Sequence, residues 1–272
     1  MEVEPVVVKR HECRHYIYKM IKRNGILYFE NLSQFPELVH GFSTREFGSM
    51  RAMGMPESLK NFAGVLFDSN VKIPPTSFQV KGEYPEIVRM KQVHSSNVVW
   101  VTEAALRLDD TDGVLTSEKD LFLSVITADC VPVLLYDPKK KCVGAVHAGW
   151  RGVYKEIVKK AVAEMIEKGS DPIDIVAGIG PCIRSCCYDI AQEHAEMFAA
   201  KFSELNNCLV KREGKTFLDL PKLVQYQLQS AGIPVTNMED AEICTFDSED
   251  LYSYRKEGEG FGEFVGMIGI KR

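Results

Sequence analysis

Residues 127–152 read TADCVPVLLYDPKKKCVGAVHAGWRG: two apolar, β-rich runs around a Pro-Lys-Lys turn, with a cysteine before the first run and a histidine closing the second. Placing the turn at Asp137-Pro138-Lys139-Lys140 sets Tyr136 against Lys141, and the same register sets Cys130 directly opposite His147. Directly opposed residues hold their Cβ atoms about 4.5–5.5 Å apart. A thiolate and an imidazole at that separation can share one metal ion, or form a thiolate–imidazolium nucleophile pair. Asp129, beside Cys130, is the nearest carboxylate and a candidate proton carrier.

Working outward, LFLSVIT, VPVLLY and CVGAVH show little apolar–polar alternation, which predicts strands covered on both faces in a layered α/β protein. From Val153 to Lys168 the apolar residues recur at helical spacing, and Gly169 stands in the favoured place past a helix end. IDIVAGIG predicts a strand, and DIAQEHAEMFAAKF and DLPKLVQYQLQSAG predict amphipathic helices, the second with Pro221 at its start and Gly232 at its end. FVGMIGI predicts a closing strand, ILYFENL and LVHGFSTRE predict strands and turns, and GMPESLKNFAGVLFDSN predicts a short helix. KIPPTSFQVKGEYPE is broken by its three prolines. No internal repeat or linker divides the chain, so residues 1–272 are expected to form one mixed α/β domain.

Bulk properties narrow the function classes. The chain has 33 basic and 38 acidic residues and a formal charge of −5, a balance that argues against a general nucleic-acid or membrane-surface binder. The N-terminus lacks the basic-then-apolar order of a secretory signal, and no apolar run approaches the ~18 residues of a membrane span. A cytoplasmic location is expected. Monomer and dimer are both compatible with this sequence. Eight cysteines are scattered through a chain too large to need disulfide staples, so most are expected to be reduced and structural. CIRSCC, residues 182–187, looks like part of a metal cluster but lacks a second pair of the CxxC kind.

A metal between Cys130 and His147 needs a third ligand. His94, in KQVHSSN at the end of a predicted strand, is the best placed; His40 is a weaker competitor, His11 and His15 are near the terminus, and His194 is expected at the surface of a helix. One Cys and two His with an open fourth position suit catalytic zinc, which lowers the pKa of a bound water to about 7. Copper accepts the same ligand types. After His147, AGWRG leads into a helix start, where backbone N–H groups attract anions. Arg151 can add a bidentate fork, and Arg45 in FSTR and Arg255 in YSYR are two further candidate phosphate-binding forks.

HGFSTR, KQVHSSNV, TDGVLT, TADCVPVLLYDP, VGAVHAGWRG, GIGPCIRSCCYDI, LDLPKLVQYQL and YSYR together resemble, in that order, the YfiH-type laccase-domain family, also described as polyphenol-oxidase-like proteins and purine nucleoside phosphorylases. The resemblance implies an α/β sandwich fold shared distantly with the deamidase domain of cytotoxic necrotising toxins. It implies zinc ligation by His94, Cys130 and His147. It also implies phosphorolysis of adenosine, inosine and methylthioadenosine to free base and ribose 1-phosphate, with adenosine deaminase activity alongside. The expected partners are therefore a purine nucleoside and phosphate. Between Arg45 and about Tyr84 the chain departs from the family pattern, reading EFGSMRAMGMPESLKN where a Gly-rich loop is usual.

Three other readings compete. A copper-dependent polyphenol oxidase of the full laccase type needs a type 1 site and a trinuclear cluster, and six histidines are too few for both, which leaves a mononuclear copper oxidase as the copper reading. A metal-free hydrolase would use Cys130 as nucleophile and His147 as base. An interaction module with a structural zinc would need a fourth protein ligand, which only Cys182 or Cys187 could supply.

Overall fold

The three unalternating runs form three long strands, two buried along their whole length and the first along all but Ile126. They belong to a computed structural model of the chain that describes residues 20–52, 56–67, 86–205 and 207–272. The expectations for His11, His15, Cys13 and the proline-broken segment fall outside the described residues. In chain order the first elements are β1 (Ile21–Arg23), β2 (Ile26–Tyr28), α1 (Glu30–Ser33), β3 (Leu38–Ser43), α2 (Glu57–Phe67), β4 (Glu86–Arg89), β5 (Val98–Trp100), β6 (Gly113–Thr116), β7 (Leu121–Thr127), β8 (Val131–Asp137) and β9 (Cys142–Ala148). Then come α3 (Trp150–Tyr154), α4 (Ile157–Glu167), β10 (Val176–Ile179), β11 (Asp189–Ile190), α5 (Gln192–Lys201), β12 (Leu209–Arg212), β13 (Lys215–Leu218), α6 (Leu220–Ser230), β14 (Met238–Asp240), α7 (Tyr254–Glu257) and β15 (Phe264–Ile270).

Two mixed sheets, ordered β1-β2-β3-β15-β7-β4 and β14-β10-β8-β9-β6-β5, pack against each other, and β11-β13-β12 form a small third sheet. Residue parity explains the layering, because neighbours along a strand point to opposite faces. On β8, Leu134 and Tyr136 face the other sheet, with Val143 and Ala145 of β9 and Leu123, Val125, Phe264 and Ile268 across from them. Val131, Val133 and Leu135 face the opposite way, onto the apolar stripes of α4 and α6. Helix α2 covers the outer face of the first sheet through Leu59, Phe62 and Val65, against Ile87, Phe122 and Met267. Each such fully buried side chain contributes about 1.5–3 kcal/mol.

The β8–β9 register differs from the expected one. Pro132, not Cys130, pairs with His147, Val131 pairs with Ala148, and Asp137 pairs with Cys142. The cause lies in the turn. Asp137 Oδ1 accepts the N–H groups of Lys139 and Lys140 at 2.8 and 2.9 Å, so the side chain closes the turn while the backbone of Asp137 stays in the strand. Lys141, at φ 53°, completes a four-residue loop. The partner of His147 moves by two residues, and an even shift keeps every side chain on its face. Cys130 therefore stands just before β8, diagonal to His147 on the same side.

The helix expected over 153–168 is two helices. Glu156, at φ 59°, breaks it, so that Val153 at the end of α3 and Ile157 at the start of α4 are both fully buried. Asp189 and Ile190, expected to open a helix, instead pair with β13.

Candidate active site

His94 lies in the loop between β4 and β5, not at a strand end as expected, and adopts φ 59°. A buried carboxylate holds that loop. Asp112 accepts N–H bonds from Val93, His94 and Ser95 at 3.2, 3.0 and 2.7 Å and the Ser95 hydroxyl at 2.7 Å. The same carboxylate receives His147 Nδ1–H at 2.8 Å, leaving His147 Nε2 as the ring's free lone pair. Asp112 is wholly buried. Burial alone would raise its pKa, but the hydrogen bonds from His147 and Ser95 hold the carboxyl well below the usual range. The sequence reading passed over Asp112 as a site residue; its signal was the TDG turn entering β6.

The ligand atoms of His94, Cys130 and His147 lie within 4.8 Å of one another. Cys130 Sγ is 3.6 Å from His94 Nε2, and the two imidazoles meet edge to face at 4.8 Å between centroids. A tetrahedral ion with bonds of about 2.3 Å to sulfur and about 2.0 Å to nitrogen spaces those two atoms at about 3.5 Å, so this donor set fits zinc. Among the described residues no fourth donor joins the group. Burial would raise the Cys130 pKa, but the charges and hydrogen bonds of His147 and His94 lower it. Burial would lower that of His147, but Cys130 and Asp112 raise it.

Space for the trio comes from glycines. A Cβ at Gly149 would meet His94 Cδ2 at 2.6 Å and Cys130 Sγ at 3.1 Å. One at Gly152 would meet the Ser95 carbonyl at 2.9 Å, so α3 can lie close against the loop that carries His94.

The remaining expected site residues separate. Asp129 sits at φ 96°, with Oδ1 receiving the Thr245 hydroxyl at 2.6 Å and Oδ2 the Arg255 backbone N–H at 2.7 Å. Burial pushes its carboxyl up. Arg151 is exposed and lies 4.4 Å over the Trp150 ring. Arg255 donates to the Asp189 carbonyl at 3.2 Å and to its carboxylate. Arg45 pairs with Glu257, donates to the Leu251 carbonyl at 3.0 Å and covers the Tyr252 ring. The competitor His40 is buried in β3, where its Nε2 accepts the Phe29 N–H at 3.1 Å, away from the trio. His194, expected at the surface, is partly buried against Trp150, with 4.5 Å between centroids.

Two further residues border the site without having stood out in the sequence. Tyr188 feels the charges of Cys130, Arg255, Asp129 and Arg151; burial first, then Cys130, pushes its pKa up to about 12. Burial pushes the carboxyl of Glu263, just before β15, up, against the opposing charges of Arg51, His147, Arg89 and His94.

Comparison with known proteins bears on the family and the fold. The chain is 28% identical to a purine nucleoside phosphorylase of Bacteroides thetaiotaomicron, across 92% of this chain and 98% of that one. It is 34% identical to the purine nucleoside phosphorylase YlmD of Bacillus subtilis, across 66% and 69%. It also matches the mouse purine nucleoside phosphorylase LACC1 at 28% identity, spanning 63% of that protein's length. Among solved structures, the Bacillus licheniformis hypothetical protein YfiH superposes with a TM-score of 0.78 at 27% identity, covering 93% of this chain and 99% of that one. YlmD of Geobacillus stearothermophilus, at 23% identity and a TM-score of 0.77, shares the fold. The family model described as multi-copper polyphenol oxidoreductase laccase matches residues 40–271, and the chain belongs to that family.

Proposed function

We propose that the protein is a zinc-dependent purine nucleoside enzyme that cleaves adenosine, inosine and methylthioadenosine with phosphate and also deaminates adenosine. The observation that carries this reading is the convergence of His94, Cys130 and His147, three donors with no fourth among the described residues. A closed structural site would have four, and a multi-copper centre would have many more histidines. The names of the relatives support the choice of substrate.

An ion bound there supplies a Lewis acid that can activate water or polarise a substrate atom. The chain's own groups do the rest. Asp112 fixes the His147 tautomer and holds the loop that carries His94. Arg151, exposed at the start of α3, is the best placed of the three arginines to hold phosphate, because Arg45 and Arg255 already engage Glu257 and Asp189. Tyr188 and the Trp150 ring offer aromatic surface for the base.

In phosphorolysis a phosphate oxygen bonds to the ribose C1′ as the bond from C1′ to the base nitrogen breaks. The base leaves with that electron pair and takes up a proton. Asp129 and Glu263 are the two burial-raised carboxyls beside the trio. Both oxygens of Asp129 are engaged, which suits it to positioning Cys130. Glu263 is the better placed to carry the proton.

The test is purified protein with adenosine, with and without phosphate, its products resolved by chromatography. Adenine and ribose 1-phosphate are expected only with phosphate, and inosine without it. His94→Ala and Cys130→Ala should abolish both, and Glu263→Gln should lower turnover at least tenfold. Absence of product from every purine nucleoside would overturn the reading.

A further inference from the structure

The cysteines of CIRSCC have a second half that only folding reveals. The backbone of Cys182 bridges to that of Cys244, with Cys182 N–H on the Ile243 carbonyl at 3.2 Å and Thr245 N–H on the Cys182 carbonyl at 3.0 Å. This contact lays the 182–188 loop beside the 244–248 loop. In the first, Cys187 and Tyr188 both donate their N–H to the Arg184 carbonyl at 2.9 Å, a turn that carries Cys186 and Cys187 on one side. In the second, Ser248 N–H reaches the Cys244 carbonyl at 3.0 Å, which places Asp247 over Cys244. The Sγ atoms of Cys186, Cys187 and Cys244 and a carboxylate oxygen of Asp247 all lie within 4.8 Å of one another.

From this geometry we propose a second metal site, in which Cys186, Cys187, Cys244 and Asp247 bind a thiophilic ion of the zinc class and fasten the two loops together. Three thiolates select against magnesium and calcium, and a compact set of four donors suits a tetrahedral ion. Zinc with bonds of about 2.3 Å to sulfur and about 2.0 Å to oxygen spaces a sulfur and an oxygen at about 3.5 Å. Asp247 Oδ2 lies 3.5 Å from Cys187 Sγ and 3.9 Å from Cys186 Sγ. The surroundings also suit thiolates. Backbone N–H groups of Arg184 and Asp247 point at Cys244 Sγ. The Arg212 guanidinium donates to the Cys186 carbonyl at 2.6 Å and adds positive charge beside the cluster. All seven described cysteines are free of disulfides.

The two sites differ in kind. The His94–Cys130–His147 set has three donors, one short of a closed tetrahedral site; this one has four, the number of a structural ion. It lies one residue from the contacts that hold the first site. Thr245, next to Cys244, donates to Asp129, and Ile183 N–H reaches the Asp129 carbonyl at 2.9 Å, just ahead of Cys130.

The test counts metal in the full chain, independently of any activity. In a His94→Ala/Cys130→Ala background, protein equilibrated with zinc under reducing conditions should retain one ion per chain. Cobalt in its place should show thiolate-to-metal charge-transfer absorption. Adding Cys186→Ala/Cys187→Ala should remove both signals. Asp247→Asn, a milder change in a partly buried residue, should weaken zinc at least tenfold while the far-UV circular dichroism stays native. A folded background variant that holds no zinc would overturn the proposal. So would retention of the ion at full affinity in Asp247→Asn and in the double cysteine variant, or alkylation mapping that finds Cys244 disulfide-bonded to Cys186 or Cys187 in reductant.

Discussion

Asp112 ties two of the three candidate ligands together. Its Oδ1 receives both the His94 backbone N–H and the His147 ring N–H, so the loop and the strand move as one. Asp112→Asn keeps the size but loses the charge, and its amide N–H₂ cannot accept the bonds now made. The expected outcome is a fall of about 10–100-fold in zinc affinity, the usual effect of losing a carboxylate that orients a ligating histidine. Competition against a chromophoric chelator measures it, with unchanged circular dichroism to exclude unfolding. Cys130 and His147 were legible because reactive residue types stood at the ends of one predicted hairpin. Asp112, Tyr188 and Glu263 were not. An aspartate in a turn and a tyrosine after two cysteines are ordinary residues until the chain brings them to the trio. Cys244 and Asp247 were hidden for the same reason, more than fifty residues beyond their partners.

Among the elements, the long strands and α6 were readable because burial on both faces, and a stripe with proline and glycine at its ends, leave direct marks. Where the expectation failed, one residue's local chemistry decided. The Asp137 side chain moved the hairpin register, and Glu156 in the left-handed region split a helix whose apolar stripe continues across the break. Neither event alters the apolar pattern, so periodicity could not report it. Gly232 shows what a predictable terminus contributes. It ends α6 at φ 99°, and its N–H reaches the Gln229 carbonyl at 2.9 Å. A Cβ there would stand 3.0 Å from Pro172 Cγ, in a region where a left-handed backbone costs an L-residue about 1–2 kcal/mol. Gly232→Ala should lower the unfolding free energy by about 1–2 kcal/mol without changing metal content, as urea titration of the two proteins would show. An unchanged midpoint would mean that the helix end relaxes away from Pro172.

Across the whole molecule, the two-sheet core sets how stability depends on pH, because it buries an imidazole. His40, on β3, is 3% exposed, lies edge-on to Tyr28 and takes the Phe29 N–H on Nε2. Burial lowers its pKa from the ordinary 6.5 to about 4, a shift only partly offset by the Phe29 carbonyl. The unfolded chain therefore takes up a proton at His40 that the folded chain refuses. Stability is complete above about pH 6.5 and falls as the pH drops toward 4, where linkage makes the loss about 3 kcal/mol. Carboxylates and the metal ligands also respond to acid, so the contribution of His40 has to be read as a difference. His40→Gln retains an acceptor for the Phe29 N–H and cannot become charged. With both proteins stripped of metal by chelator, the wild type should lose about 3 kcal/mol more than His40→Gln between about pH 7 and pH 4, as measured by urea unfolding. Parallel losses in the two proteins would show that the imidazole is solvated before the sheets come apart.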